Sequence, residues 1–77
     1  MTVSYNVTIG GDVQLRVYGV TANVVKHLSR QTQAGGGYSV VWDGRDDNGK
    51  AVASGLYIIV LSQPSGNRLV KVLAVEQ

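Results

Sequence analysis

Between Val3 and Tyr18 the chain alternates apolar with polar residues almost without interruption, and this period of two most narrows what it can fold into. Val3, Tyr5, Val7 and Ile9 alternate with Ser4, Asn6 and Thr8. After Gly10-Gly11-Asp12, Val13, Leu15 and Val17 alternate with Gln14, Arg16 and Tyr18. Successive side chains of a strand point to opposite faces, so each run predicts a strand with one buried and one solvated face. The glycine pair predicts a break between them, and Gly19 ends the second run.

The same reading continues along the chain. Val24 to Leu28 predicts a short strand that turns Val25 and Leu28 to the core. Gln31 to Gly37 is polar and glycine-rich, and three consecutive glycines lose so much backbone freedom on ordering that the segment predicts a loop. Tyr38, Val40 and Trp42 share one face of the next strand. Asp43 to Lys50 is built almost wholly of turn formers, with Asn48-Gly49 as a tight-turn signal, and Ala51 to Ala53 predicts a brief edge strand. Leu56 to Leu61 is apolar on both parities, which predicts a central strand covered on both faces. Pro64-Ser65-Gly66-Asn67 predicts a hairpin turn and Leu69 to Val75 a final strand. Six or seven short strands with no helical period predict an all-β sandwich or barrel, one domain spanning residues 1–77.

Composition removes several function classes. A chain of 77 residues has room for one core, and with no cysteine it has neither a disulfide staple nor a thiolate metal site. The net charge is +2, and Arg16, Lys26, Arg30, Arg45, Lys50, Arg68 and Lys71 are scattered, whereas nucleic-acid binders gather such charge on one face. The longest apolar run, Leu56 to Leu61, is far short of the roughly 20 residues that insert across a bilayer. Met1-Thr2-Val3-Ser4-Tyr5 lacks the basic segment and apolar core of a signal peptide.

Chemistry-bearing residues concentrate in one place. Gly44 to Lys50 has the G-x-x-x-x-G-K spacing of a phosphate-binding loop, but Ala51 stands where a hydroxyl is required, and Asp46 and Asp47 would repel an anion. Asp43, Asp46, Asp47 and Asn48 are calcium candidates, since hard cations take clustered oxygens. Their spacing does not fit an EF-hand, and the plainer expectation is that these side chains bond their own backbone amides in consecutive turns. His27 is the single histidine, with Lys26 and Leu28 beside it and no carboxylate nearby in sequence, which predicts a surface histidine rather than a catalytic one. Trp42 predicts a core anchor. A core-filled domain of this size is expected to leave little room for a concavity of roughly 300 Å³ or more. No cofactor and no small-molecule substrate are expected.

Tyr38 to Tyr57, read as Y-S-V-V-W-D-G-R-D-D-N-G-K-A-V-A-S-G-L-Y, resembles the hallmark of the FlgD-type Ig-like domain. The matching positions are Trp42, Asp43, Gly44, Asp46, Gly49, Val52, Ser54, Gly55 and Tyr57. Val13 to Tyr18 resembles the family's earlier strand, Val25 and Leu28 its next apolar pair, and the final hairpin is included. The turn from Gly19 to Asn23 departs from the pattern. Gly19 stands where the family usually has an acidic residue, and Ala22 where it usually has glycine.

The resemblance implies an immunoglobulin/fibronectin-III-like antiparallel β-sandwich without catalytic residues. Related domains occur in the flagellar hook-capping protein and at the C-termini of secreted or surface bacterial proteins, which implies an extracytoplasmic structural, assembly or attachment role. The partners expected are other protein subunits or copies of the chain itself. One alternative is a filament or tube subunit whose first strand swings out on Gly10-Gly11 to pair with a neighbour's edge. Another is a carbohydrate or other ligand-binding module, which would need exposed aromatics on one face.

Overall fold

The alternating runs form strands that pair into two antiparallel sheets in a computed structural model describing residues 1–77. The strands are β1 (Thr2–Val7), β2 (Gly11–Gly19), β3 (Val24–Gln33), β4 (Gly36–Val41), β5 (Gly55–Gln63) and β6 (Gly66–Val75). There is no helix. A two-stranded sheet, β1-β4, lies over a four-stranded sheet ordered β3-β2-β5-β6, giving an immunoglobulin-like sandwich.

The predicted faces close on one cluster of 12 side chains. Val3, Tyr5 and Val7 of β1 meet Val13, Leu15 and Val17 of β2 and Tyr57, Ile59 and Leu61 of β5, with Trp42 at 0% exposure among them. Burying a large apolar side chain stabilises by about 1.5–3 kcal/mol, so this interior drives folding in a chain without disulfides. Tyr5 stacks on Tyr38 at 5.7 Å between ring centroids, and its hydroxyl donates to the buried Gln33 Oε1 at 3.1 Å. Val25 and Leu28 are half-buried against the cluster, as expected. Being three residues apart they would fall on opposite faces of a regular strand, and they share one because each is the unpaired residue at a register shift against β2.

Several boundaries differ from the sequence reading. β1 stops at Val7, because its partner Gly36 is the first residue of β4. Beyond it the Thr8 N–H, on the edge away from β4, donates to Gln63 Oε1 at 2.9 Å, and Ile9 is left 58% exposed. β3 continues through Gln33, pairing with β2 as far as Gly11, so Gln31 to Gln33 are strand rather than loop. Gly36 and Gly37 also belong to a strand, opposite Val7 and Asn6. Only Ala34 and Gly35 separate β3 from β4, since the ladder to β1 fixes glycines that local propensity leaves free. Ala51 to Ala53 forms no strand, and Ala51 makes a single bridge to Arg45. The last hairpin turns on Pro64-Ser65, with Gly66 at φ +119 already in β6. β5 is central in its sheet, but its second face is not covered: Leu56 is 54% exposed, while Ile58 and Val60 are half-buried.

The phase of the β1-β4 ladder follows from its lower end. The Met1 nitrogen donates to Trp42 O at 2.6 Å and the Trp42 N–H to Met1 O at 2.7 Å, so these two residues exchange both bonds. Bonded and non-bonded pairs alternate in an antiparallel ladder. Val3, Tyr5 and Val7 therefore bond to Val40, Tyr38 and Gly36, while Thr2, Ser4 and Asn6 turn their backbone groups away from β4. At the same end of the fold, the turn from β2 to β3 holds Ala22 at φ 65, the one non-glycine residue in the left-handed region. A Cβ there costs roughly 1–2 kcal/mol.

Candidate functional site

The segment from Trp42 to Tyr57 leaves the small sheet, crosses the open end of the sandwich and enters β5. Asp43 and Asp46 each have a local task in its turn. Asp43 Oδ1 accepts from the Arg45 N–H at 3.1 Å. Asp46 Oδ1 accepts from the N–H groups of Asn48 at 2.9 Å and Lys50 at 3.0 Å, while its own N–H donates to Lys50 O at 2.8 Å. These are the side-chain to backbone bonds that turn-forming Asp provides. Gly44 and Gly49 sit at φ +76 and +81, where a side chain is strained.

Two aromatic residues tie this segment to the core. Trp42 and Tyr57 meet edge to face at 5.6 Å, a favoured aromatic geometry. Trp42 Nε1 donates to Arg45 O at 3.0 Å, so the buried indole satisfies its one donor on the turn it supports. The Tyr57 hydroxyl donates back to Ala53 O at 2.6 Å, fixing the entry into β5 as a tyrosine corner does.

Asp47 is directed differently from its neighbours. Its N–H donates to Val25 O at 3.1 Å, and its Oδ1 accepts from the His27 N–H at 3.0 Å. Oδ2 lies 2.6 Å from His27 Nδ1, and Lys26 Nζ stands 4.0 Å from Oδ1. One residue thus presents a donor and an acceptor to the outer edge of β3, as a paired strand would. The His27 main-chain N–H, then its ring, hold the Asp47 carboxyl below its ordinary value of 3.8.

The calcium candidates are therefore near one another in sequence but do not converge. Asp43 and Asp46 serve separate turns, Asp47 faces His27 and Lys26, and no group of three His, Cys, Asp or Glu side chains comes together as a metal centre. The phosphate-loop spacing of Gly44 to Lys50 opens no helix. His27 is exposed, as expected, but a carboxylate does reach it, from 20 residues away across the fold. Local sequence carries no signal of that pairing. It arises because the turn folds back over the edge strand.

A concavity of about 660 Å³ also corrects the expectation of little room for one of roughly 300 Å³ or more. It lies outside the core, between the start of β3 and the returning segment, with Val24, Val25, Lys50, Val52 and Tyr57 in its walls. It is an open groove between two elements of the chain, which volume arguments about the core do not address. Arg16 and Tyr18 bond to each other on the outer face of β2, with Arg16 Nη1 at 3.3 Å from the Tyr18 hydroxyl, and Arg16 also donates to Gln14.

A family model described as the FlgD Ig-like domain matches residues 1–67, and so takes in the whole Trp42 to Tyr57 segment. The match ends at the start of β6, whose remaining residues complete the large sheet beside β5. No curated protein and no solved structure matches the chain.

Proposed function

Because the chain belongs to the FlgD Ig-like domain family, we propose that residues 1–77 form one structural module that acts through protein–protein contacts, not catalysis, in a bacterial extracytoplasmic protein. Scaffold, cap and surface attachment are the roles that suit it. The observation that carries this reading is the use made of the reactive side chains. The carboxylates of the one polar segment hold its own turns and the β3 edge, so the fold presents strand edges and sheet faces instead of a reactive constellation.

Two experiments test the reading. Fractionation of bacteria producing the protein with an epitope tag should recover it outside the cytoplasm, and recovery from the cytosol would overturn the location. A hydrolase screen of the purified domain should detect no turnover. Activity that disappears in His27→Ala would overturn the non-enzymatic reading.

Self-assembly is the second reading, favoured by the outer face of the large sheet. Register places Leu69 beside Val60 and Val72 beside Ile58, and Leu56 flanks them, with Leu69 60% exposed. A swinging first strand supports it less well, because releasing β1 would strip Val3, Tyr5 and Val7 from the core. Sedimentation at millimolar concentration distinguishes the cases: a strictly monomeric species would remove self-assembly.

A further inference from the structure

The two sheets are unequal in width, and the mismatch falls beside β1. The small sheet has two strands over four, whereas immunoglobulin sandwiches set three or four strands against the larger sheet. Among the strands of the large sheet, β1 approaches β6 most closely, so the edge of β1 away from β4 lies on the β6 side. On that edge Thr2, Ser4 and Asn6 carry outward N–H and C=O groups that no other strand pairs. An unpaired strand edge is a template for another strand.

The neighbouring surface of β6 restricts what that strand can be. Paired residues of antiparallel strands share a face, so Arg68 opposite Leu61 and Lys71 opposite Ile59 stand on the core side of the sheet. Leu61 and Ile59 are fully buried while Arg68 and Lys71 are exposed, which places the two cations at the rim of the interior. Neither has a carboxylate partner, since Asp47 accounts for both ion pairs in the molecule. Between and beyond them, Val70 and Leu73 pack on the core but are only half-covered.

We propose that the β1 edge, between Thr2 and Asn6, receives an extended segment of a partner protein. Its inward face would be acidic beside Arg68 and Lys71 and apolar beside Val70 and Leu73. The proposal rests on reading the domain as a protein-binding module and names the site and the chemistry of its occupant. Backbone pairing requires an extended chain, the half-covered side chains require apolar contact, and the unpaired cations select carboxylates. A second copy docking symmetrically through β1 fits less well, because it brings a second Arg68 and Lys71 to the same rim.

The test uses the ¹⁵N-labelled domain and an octapeptide in which threonines alternate with Glu, Glu, Val and Val, against a control with Lys in place of Glu. The acidic peptide is expected to slow exchange of the Thr2, Ser4 and Asn6 amides and to bind at least about tenfold more tightly than the control. Combined Arg68→Glu and Lys71→Glu should reverse that preference. Ser4→Pro should abolish binding while leaving the β4 ladder intact, because it deletes an outward N–H alone. Should that variant fail to fold, the charge-reversed variant still decides.

Equal binding of the two peptides, or no binding of either, would overturn the proposal. So would protection at another edge, such as Gly37, Ser39 and Val41 of β4, although that outcome would leave the protein-binding reading standing. Failure of that wider reading is registered separately, by turnover or cytosolic recovery. A peptide-free dimer that protects the same three amides would replace the acidic partner with a second copy and overturn the assignment.

Discussion

The edge strands β3 and β1 meet solvent in different ways. At Val25 and His27 the β3 edge is closed by Asp47, one residue whose N–H and carboxylate replace a missing strand. At Thr2, Ser4 and Asn6 the β1 edge has no such cover. Both strands lie at the margin of a sheet, so position alone does not decide whether an edge stays open. The difference is made by another part of the chain: a turn-rich segment after Trp42 is long enough to fold back over β3, and nothing comparable crosses β1. An exposed edge without charge, proline or cover invites pairing, which makes the uncovered one the surface to watch.

The comparison can be broken most severely at the support of the closing segment. Trp42→Ala removes both the buried indole and its bond to Arg45, and should cost about 3–5 kcal/mol, enough to unfold a domain of this size. Urea denaturation followed by circular dichroism would measure it. Tyr57→Phe keeps the ring against Trp42 and deletes only the bond to Ala53, so the same measurement should show a loss of about 1 kcal/mol. At the start of β3, Ala22→Gly should stabilise by roughly 0.5–1 kcal/mol, because relief of a positive φ outweighs the extra freedom glycine gives the unfolded chain.

The closed edge can then be opened without disturbing the core. Asp47→Ala should speed hydrogen exchange of the His27 amide and leave the Thr2, Ser4 and Asn6 amides as fast as before. Unchanged exchange at His27 would mean that Asp47 does not close the edge. Acid should act in the same way. The folded value of Asp47 lies below its ordinary 3.8, so its contribution is fully present above 3.8 and is lost as pH falls through the lower folded value. Protection of His27 should hold from neutrality down to about pH 4 and decline below it. The smallest effect is expected from calcium: titration should give no heat and no change in melting temperature, since Asp43, Asp46 and Asp47 face different partners. A measurable binding heat would show that the turn can rearrange around the ion.

Much of the fold was legible in the pattern of two. Val3, Tyr5 and Val7, and Val13, Leu15 and Val17, are buried in the alternation their spacing predicts, and Trp42 anchors the core. The errors fall where local preference and long-range pairing disagree. Gln31 to Gln33 and Gly36-Gly37 have loop composition and are nevertheless strand, because β2 and β1 supply ladders that propensity does not register. Leu56 to Leu61 reads as covered on both faces, yet its outer side chains lie half-exposed on a sheet that has only one partner. Of the candidate site, the turn chemistry of Asp43 and Asp46 was visible, since Asp bonding to its own following amides is a local event. The reach of Asp47 to His27 was not.

The sequence by itself determined the strands, the core faces and the turn after Trp42, because alternation, glycine placement and Asp-amide bonding act within a few residues. It also carried the family, in the run from Trp42 to Tyr57. Only the tertiary structure decided which edges are closed. Edge closure depends on where a segment lands after the whole chain has packed, and a strand's outward N–H and C=O groups are identical in every residue type except proline. Side-chain pattern cannot encode their partners. The two-over-four mismatch and the free edge of β1 beside Arg68 and Lys71 therefore become visible only when the sheets are assembled.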